Sequence, residues 1–365
     1  MRIWTYINLL TTLDNMAIFI IMFILLGIMM IPELSRHKTK IALLCFLLLW
    51  LIQALRALEI GCDSYYAYIP HFINQGDVDV TNIIQSPDRY KFEPGYHIYT
   101  RIIRYFSHSS QIFISITSLI IIGLITIVFR KYSKNIPLSF IIFAGLILYH
   151  FSFSGLRQSI ALAITFFSTI FIYKRKPLIF IGLVLLAFTF HKSSIIFLPA
   201  YALYNIHISR KLIIISGITI VIFFAMAGPV AEYVRNIIFG ADKYSGYLGA
   251  NVGAFGLTIL YILLTVFILN TSEWNDKHQN FLCWMAIMTL MFQPLGMVSQ
   301  AADRIGYYFV IYFTLSIPTA VDRLKPTKLN RCVINYSILV FMMFFFWYCN
   351  ASGYLDVVPY KFYWE

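Results

Sequence analysis

Residues 136–173 read IPLSFIIFAGLILYHFSFSGLRQSIALAITFFSTIFIY, two apolar runs (136–152 and 157–173) that meet at a single arginine, Arg157. Basic clusters bracket the stretch, with Arg130, Lys131 and Lys134 before it and Lys174, Arg175 and Lys176 after it. Lysine and arginine collect in the cytoplasmic connections of membrane proteins, so both clusters belong on one side. A chain that leaves one cluster and arrives at the next has crossed the bilayer an even number of times. The stretch therefore reads as a membrane hairpin that turns outside, at Ser152-Phe153-Ser154-Gly155-Leu156-Arg157. Each leg is shorter than the roughly 20 residues of a perpendicular crossing. Short crossings thin the bilayer locally or pack around a water-filled cavity.

Working outward, further apolar segments lie at 16–31, 41–55, 110–129, 177–190, 193–206, 212–228, 254–270, 281–298, 305–321 and 332–349. Three more basic clusters separate them: Arg36, Lys38 and Lys40; Arg210 and Lys211; and Arg323, Lys325, Lys328 and Arg331. The same even-crossing rule puts outer turns at His191-Lys192-Ser193-Ser194 and at Gln300-Ala301-Ala302-Asp303-Arg304. The expected architecture is an all-α polytopic membrane protein of about twelve transmembrane helices with both termini outside. It forms a single membrane domain over 1–365, with two larger outer-face loops at 56–109 and 229–253. In this layout the cytoplasmic side receives 16 Lys/Arg and 4 Asp/Glu, and the outer side 12 and 12. The whole net charge of +12 is then cytoplasmic.

Composition points the same way and excludes several classes. The chain is 60% hydrophobic and 12% charged, where a soluble chain carries about a quarter charged residues. Its basic residues sit in short clusters between apolar runs, so they are topology signals and no nucleic-acid partner is expected. The five cysteines are odd in number and lie mostly inside apolar segments, matching neither a disulfide framework nor a zinc spacing. The first apolar run is followed by Pro32-Glu33-Leu34-Ser35 rather than a small-residue cleavage site, so it is expected to remain as an anchor. With no glycine-rich phosphate loop, GxSxG elbow or His/Cys cluster, no cofactor and no metal are expected. The cytoplasmic connections are too short to hold a nucleotide-sugar domain. A sugar-transferring reading therefore needs a lipid-linked donor that is already outside.

The polar residues that remain crowd the outer face. The first outer loop holds Arg56, Asp63, Tyr66, Glu93 and Tyr96, a mixture that suits sugars, since rings cover sugar faces and carboxylates accept from hydroxyls. Tyrosine also gathers at membrane interfaces for no catalytic reason. Arg157, followed by Gln158, invites the reading of a snorkelling arginine. The cytoplasmic bias of basic residues makes an outer arginine unusual, and a guanidinium pairs with phosphate oxygens in bidentate fashion. His191 and Lys192 end a short apolar segment and suit phosphate contact or proton transfer. Arg304 stands with Tyr307 and Tyr308 at another helix mouth, and with Arg157 it would clamp a diphosphate.

Gly155-Leu156-Arg157-Gln158-Ser159-Ile160-Ala161, followed by His191-Lys192-Ser193-Ser194, resembles the EpsG-like branch of the Wzy-type polysaccharide polymerases. The same resemblance runs through Arg56…Gly61-Cys62-Asp63-Ser64-Tyr65-Tyr66, Glu93-Pro94-Gly95-Tyr96, Lys243-Tyr244 with Tyr247, and Arg304-Ile305-Gly306-Tyr307-Tyr308-Phe309. It implies a GT-C-like membrane glycosyltransferase in the bacterial inner membrane, with its termini and active site periplasmic. The implied reaction joins undecaprenyl-diphosphate-linked oligosaccharide repeat units into O-antigen or another surface polysaccharide, alongside membrane lipid and a chain-length regulator. Arg157 and Arg304 would stabilise the leaving diphosphate, with Lys192 and Arg56 assisting; Asp63, Glu93 or His191 would take the acceptor's proton. Tyr66, Tyr96, Gln158, Tyr244 and Tyr308 complete the expected substrate contacts.

Three other readings share features with this one. An O-antigen ligase would keep the topology and the arginines and change only the acceptor. A flippase or transporter of lipid-linked oligosaccharide would carry charges at the middle of its helices, where this chain has almost none. A membrane acyltransferase would want a histidine reachable from the cytoplasm.

Overall fold

The structure, a computed structural model, describes residues 15–74, 92–226, 229, 252–298, 300–324, 327–351 and 354–365. Among the described residues the regular structure is helical, apart from one isolated antiparallel bridge between Arg56 and Phe362. Helix α1 spans Ala17–Met29, α2 Lys38–Ala54, α3 Pro94–Phe106, α4 Ser110–Tyr132, α5 Ile136–Gly145, α6 Leu148–Ser154, α7 Leu156–Tyr173 and α8 Pro177–Phe190. Helix α9 follows at Arg210–Ala225, α10 at Val252–Thr271, α11 at Lys277–Val298, α12 at Gln300–Val310, α13 at Phe313–Arg323 and α14 at Lys328–Asn350.

Helices α4, α7 and α14 are each long and apolar enough to cross a membrane, and the bent pair α5–α6 makes a fourth candidate. Apolar helices α1, α8 and α10 are shorter. A chain with so much apolar surface and its backbone polar groups paired within helices is built for a bilayer, where unpaired amides cost several kcal/mol each, by an approximate reckoning.

The ends of these helices follow local chemistry. Ser109 caps α4, its Oγ accepting from the Ile112 amide at 3.4 Å, and Asn135 caps α5 through the Leu138 amide at 3.2 Å. A break between helices falls at 152–157, where a turn is expected, since α6 ends at Ser154 and α7 begins at Leu156. Within the first leg, a 59° bend separates α5 from α6, and Ile147 there takes a left-handed backbone with φ 69°. The expected turn after α8 is also present, since α8 stops at Phe190, just before His191.

Two expected segments differ from their sequence reading. Residues 193–206 are not one helix but a 3₁₀ helix, Lys192–Phe197, followed by the single turn Ala200–Leu203. Pro199 has no amide to donate and starts that second piece. The segment at 305–321 divides into α12 and α13, and Gln300–Arg304, expected as a turn, opens α12. Asp303 in the first turn complements the helix dipole. At the division, the Thr314 hydroxyl donates to the Ile311 carbonyl (2.5 Å), and the Leu315 amide turns to the Tyr312 carbonyl instead of to that of Ile311.

The chain forms two compact units. The first comprises Met1–Phe171, Leu178–Ile195 and Thr327–Glu365, and the second Ile172–Pro177 and Ile196–Pro326. The core of the first unit includes an aromatic cluster in which Phe19, His150, Phe153 and Phe346 pack together. The second has Phe197 stacked on Tyr312 at 5.9 Å and Phe292 on Phe309 at 5.1 Å. In the first unit the C-terminal segment straps the residues that follow α2. The Ala57 amide donates to the Lys361 carbonyl, the Tyr363 amide to Leu55 and the Gly61 amide to Asp356, each at 2.9 Å.

Candidate functional site

Arg157 begins α7, and the turn before it is tied down from several directions. The Gln53 amide donates to the Ser152 carbonyl and hydroxyl, both at 2.8 Å, and the Tyr149 hydroxyl to the Leu49 carbonyl at 2.7 Å. The Asp63 amide donates to the Ser154 hydroxyl at 3.0 Å. Gly61 is needed on two counts: its φ is +93°, and a Cβ there would collide with the Phe153 carbonyl. A π-helical turn, Ser64–Tyr68, then brings Tyr68 inward.

Opposite this turn, α3 starts at Pro94, with Glu93 immediately before it. Gly95 lets that start lie directly against the end of α8, because a Cβ there would collide with Thr189. The approach brings Glu93 up to the 191–194 turn and across from Arg157.

A compact constellation results. The Glu93 carboxylate pairs with Arg157 through Oε2 on Nη1, and its other oxygen, Oε1, accepts from the Lys192 amide at 3.3 Å. Arg157 Nε donates to the Tyr68 hydroxyl at 3.4 Å. The guanidinium lies 4.5 Å from the centroid of the Phe92 ring and 5.7 Å from that of Tyr68, within cation–π range. The side chains of Arg157 and Glu93 are 18% and 12% exposed, so the pair is mostly desolvated yet open on one side. Such a pair is strongly coupled, and removing either partner strands a charge.

Around it, Tyr96 is buried edge-on to Tyr68 and Phe92. His71 packs between Phe92 and His97. Burial, with Arg157 adding to it, holds the His97 imidazole below its usual range, so it stays neutral. His191 Nδ1 and the Ser193 hydroxyl share a 2.7 Å hydrogen bond. On the outward side of α3, Ile98, Arg101, Ile102, Tyr105 and Phe106 line an open groove of about 290 Å³.

Arg157, Glu93, Tyr96, His191 and Lys192 thus come from separate stretches of sequence into one neighbourhood. Gln158 is buried beside Arg157, and Asp63 stands half-buried at the loop tied to Ser154. Arg56 is fully buried; its guanidinium donates to the Ser64 hydroxyl at 3.2 Å and lies 4.7 Å from the Phe153 ring centroid. Tyr66, 72% exposed, points to solvent. Phe92 was not singled out from sequence, and Tyr68 and Gly95 stood there only as one of several loop tyrosines and as part of a motif. Their signals were the run Ser64-Tyr65-Tyr66-Ala67-Tyr68 and the Pro94-Gly95 pair beside an acid.

Arg304 belongs to the second unit. It lies half-buried on α12 beside Asp303, whose Oδ2 accepts from the Tyr307 hydroxyl at 3.5 Å. Burial pushes the Asp303 carboxyl up to about 6, against the pull of Tyr307 and Arg304. Tyr308, on the same helix, is buried. Tyr244 and most of the 229–253 loop lie outside the described residues, as does 75–91 of the 56–109 loop. Among the described residues, no group of three or more His, Cys, Asp or Glu could hold a metal ion.

No curated protein and no solved structure matches the chain. The family model described as EpsG family matches residues 39–362, from the second apolar segment to the C-terminal strap, and takes in every residue of the Arg157 constellation. The chain belongs to the EpsG family.

Proposed function

We propose that this protein is a membrane polysaccharide polymerase acting on the periplasmic face of a bacterial inner membrane. It transfers a growing glycan from undecaprenyl diphosphate to a hydroxyl of the next lipid-linked repeat unit. The oxygen of that hydroxyl bonds to the anomeric carbon as the bond from that carbon to the diphosphate breaks. The departing electron pair stays on the phosphate oxygen, and the proton passes to a carboxylate or imidazole at the site. Negative charge grows on the leaving group, so a guanidinium already in place lowers the barrier. The observation that carries the reading is Arg157 itself, set between Phe92 and Tyr68, partly open to solvent and beside a carboxylate that also accepts from the Lys192 amide.

The twelve-helix, GT-C-like layout and the clamp formed with Arg304 are parts of the same proposal. The strap between the C-terminal segment and residues 55–61 supports a shared side for that terminus and the first outer loop. The apolar groove along α3 suits a polyprenyl chain.

The test is the glycan ladder of cells lacking the protein, with and without Arg157→Ala restored at normal protein level. Collapse to core plus one repeat unit, unrescued by the variant, is the expected result. Loss of the single-repeat band as well would point to a ligase or flippase, and long chains made by Arg157→Ala would remove the arginine from the mechanism. For topology, a cysteine replacing Lys192 in a cysteine-free background should be labelled from outside, and one replacing Arg175 should not.

A further inference from the structure

The carboxylate that holds Arg157 does so in the geometry of a bound anion. Two oxygens of one group bridge a guanidinium and the backbone amide of Lys192, which come from different helical hairpins. Phosphate oxygens are held in the same way, by an arginine fork together with exposed amides. Glu93 reaches this position because Gly95 lets the start of α3 abut the end of α8. Its placement is thus built into the backbone and does not depend on a floppy surface side chain.

We infer that Glu93 is a latch: paired with Arg157 and the Lys192 amide it holds the place of a diphosphate, and substrate entry displaces it from Arg157. The inference rests on the proposed diphosphate chemistry of the site. Without a counter-ion, a mostly buried arginine would carry a large desolvation penalty, and the carboxylate relieves it between turnovers. An incoming diphosphate carries more charge and more acceptor oxygens than one carboxylate, so it wins the guanidinium when it is present. The released carboxylate then lies at the mouth, beside the bond being made. The latch also screens the site against weakly charged anions, which cannot displace Glu93.

The binding-competent site is then only a small fraction of the empty protein, and apparent affinity is lowered by that fraction. Purified full-length protein in nanodiscs, titrated with inorganic pyrophosphate, tests this directly. Glu93→Gln keeps the shape and removes the competing charge, so it is expected to bind pyrophosphate about tenfold tighter than the wild type. Arg157→Ala is expected to lose binding. Should Glu93→Gln fail to fold, Glu93→Asp carries the test, since its carboxylate is withdrawn by one methylene, and severalfold tighter binding is expected.

Equal or weaker binding by these Glu93 variants, with binding still lost in Arg157→Ala, would overturn the latch and leave the arginine's role intact. Wild-type binding by Arg157→Ala would instead overturn the diphosphate reading beneath it. A second titration with undecaprenyl diphosphate in the nanodisc should show the same tightening. Tightening confined to inorganic pyrophosphate would assign the latch to a soluble anion and remove it from the lipid-linked reaction.

Discussion

Arg157 and Arg304 are both arginines at helix mouths, but their surroundings are built on opposite plans. Arg157 meets a carboxylate 64 residues away in sequence, brought in on another helix and shared with a third segment. Arg304 has its acid as its immediate neighbour, Asp303, held to Tyr307 within the same helix. A partner on a separate element can move away when a ligand arrives. A partner one residue away on the same helix stays close to it, and its charge acts on the arginine whenever the carboxyl is ionised. On the proposed reading, the first site is the one where an anion could exchange with the arginine's partner.

The largest expected effect comes from removing the two arginines in turn. Arg157→Ala should lower polysaccharide polymerisation roughly 10²- to 10³-fold, the size of losing one preplaced donor to a developing anion. Arg304→Ala should cost about tenfold less than that, because Asp303 already offsets its charge. Both are read from chain-length distribution at matched protein levels. Equal losses would break the comparison and make the two arginines equal parts of one clamp.

Gly95→Ala probes how the first site is assembled. The added Cβ meets Thr189, and an overpacked contact of this kind costs about 1–3 kcal/mol. The expected result is a lower thermal midpoint together with loss of long chains, since Glu93 is pushed from the 191–194 turn. Normal polymer from a destabilised Gly95→Ala protein would show that the close approach serves stability alone.

The two regions should also answer to pH with opposite signs. Burial raises Asp303 in the folded chain from 3.8 to about 6. Its folding contribution is therefore complete below about pH 4 and is lost as pH rises through about 6. The thermal midpoint of Asp303→Asn should pull ahead of the wild type from about pH 4 upward and level off above about 6. His97 is lowered instead, so near Arg157 stability is retained above the usual imidazole value of 6.5 and lost as pH falls below it. His97→Asn should separate from the wild type only on that acid side. Smallest of all, Tyr68→Phe removes a 3.4 Å hydrogen bond but keeps the ring beside Arg157, and should cost about 1 kcal/mol or less.

Much of the fold was legible because apolar runs and basic clusters are local signals. The turns at 152–157 and after Phe190 fall where charge bookkeeping puts them. The reading failed where local chemistry outweighed hydropathy. Pro199 cut one apolar run, and the Thr314 hydroxyl took the Ile311 carbonyl that a continuous helix would have used. In the site, Arg157, Glu93, His191 and Lys192 were visible as out-of-place polar residues at helix ends. Phe92 was not, and Tyr68 stood only among several loop tyrosines, since an aromatic that walls an arginine looks in sequence like any interfacial ring.

The sequence by itself determined that this is a helical membrane protein of the EpsG family, because runs of apolar side chains and the family's ordered motifs are written along the chain. Only the tertiary structure decided that Glu93, of the acids proposed for catalysis, is the one that holds Arg157. That choice depends on two helices touching at Gly95 and Thr189, a contact between residues 94 positions apart that no local pattern encodes.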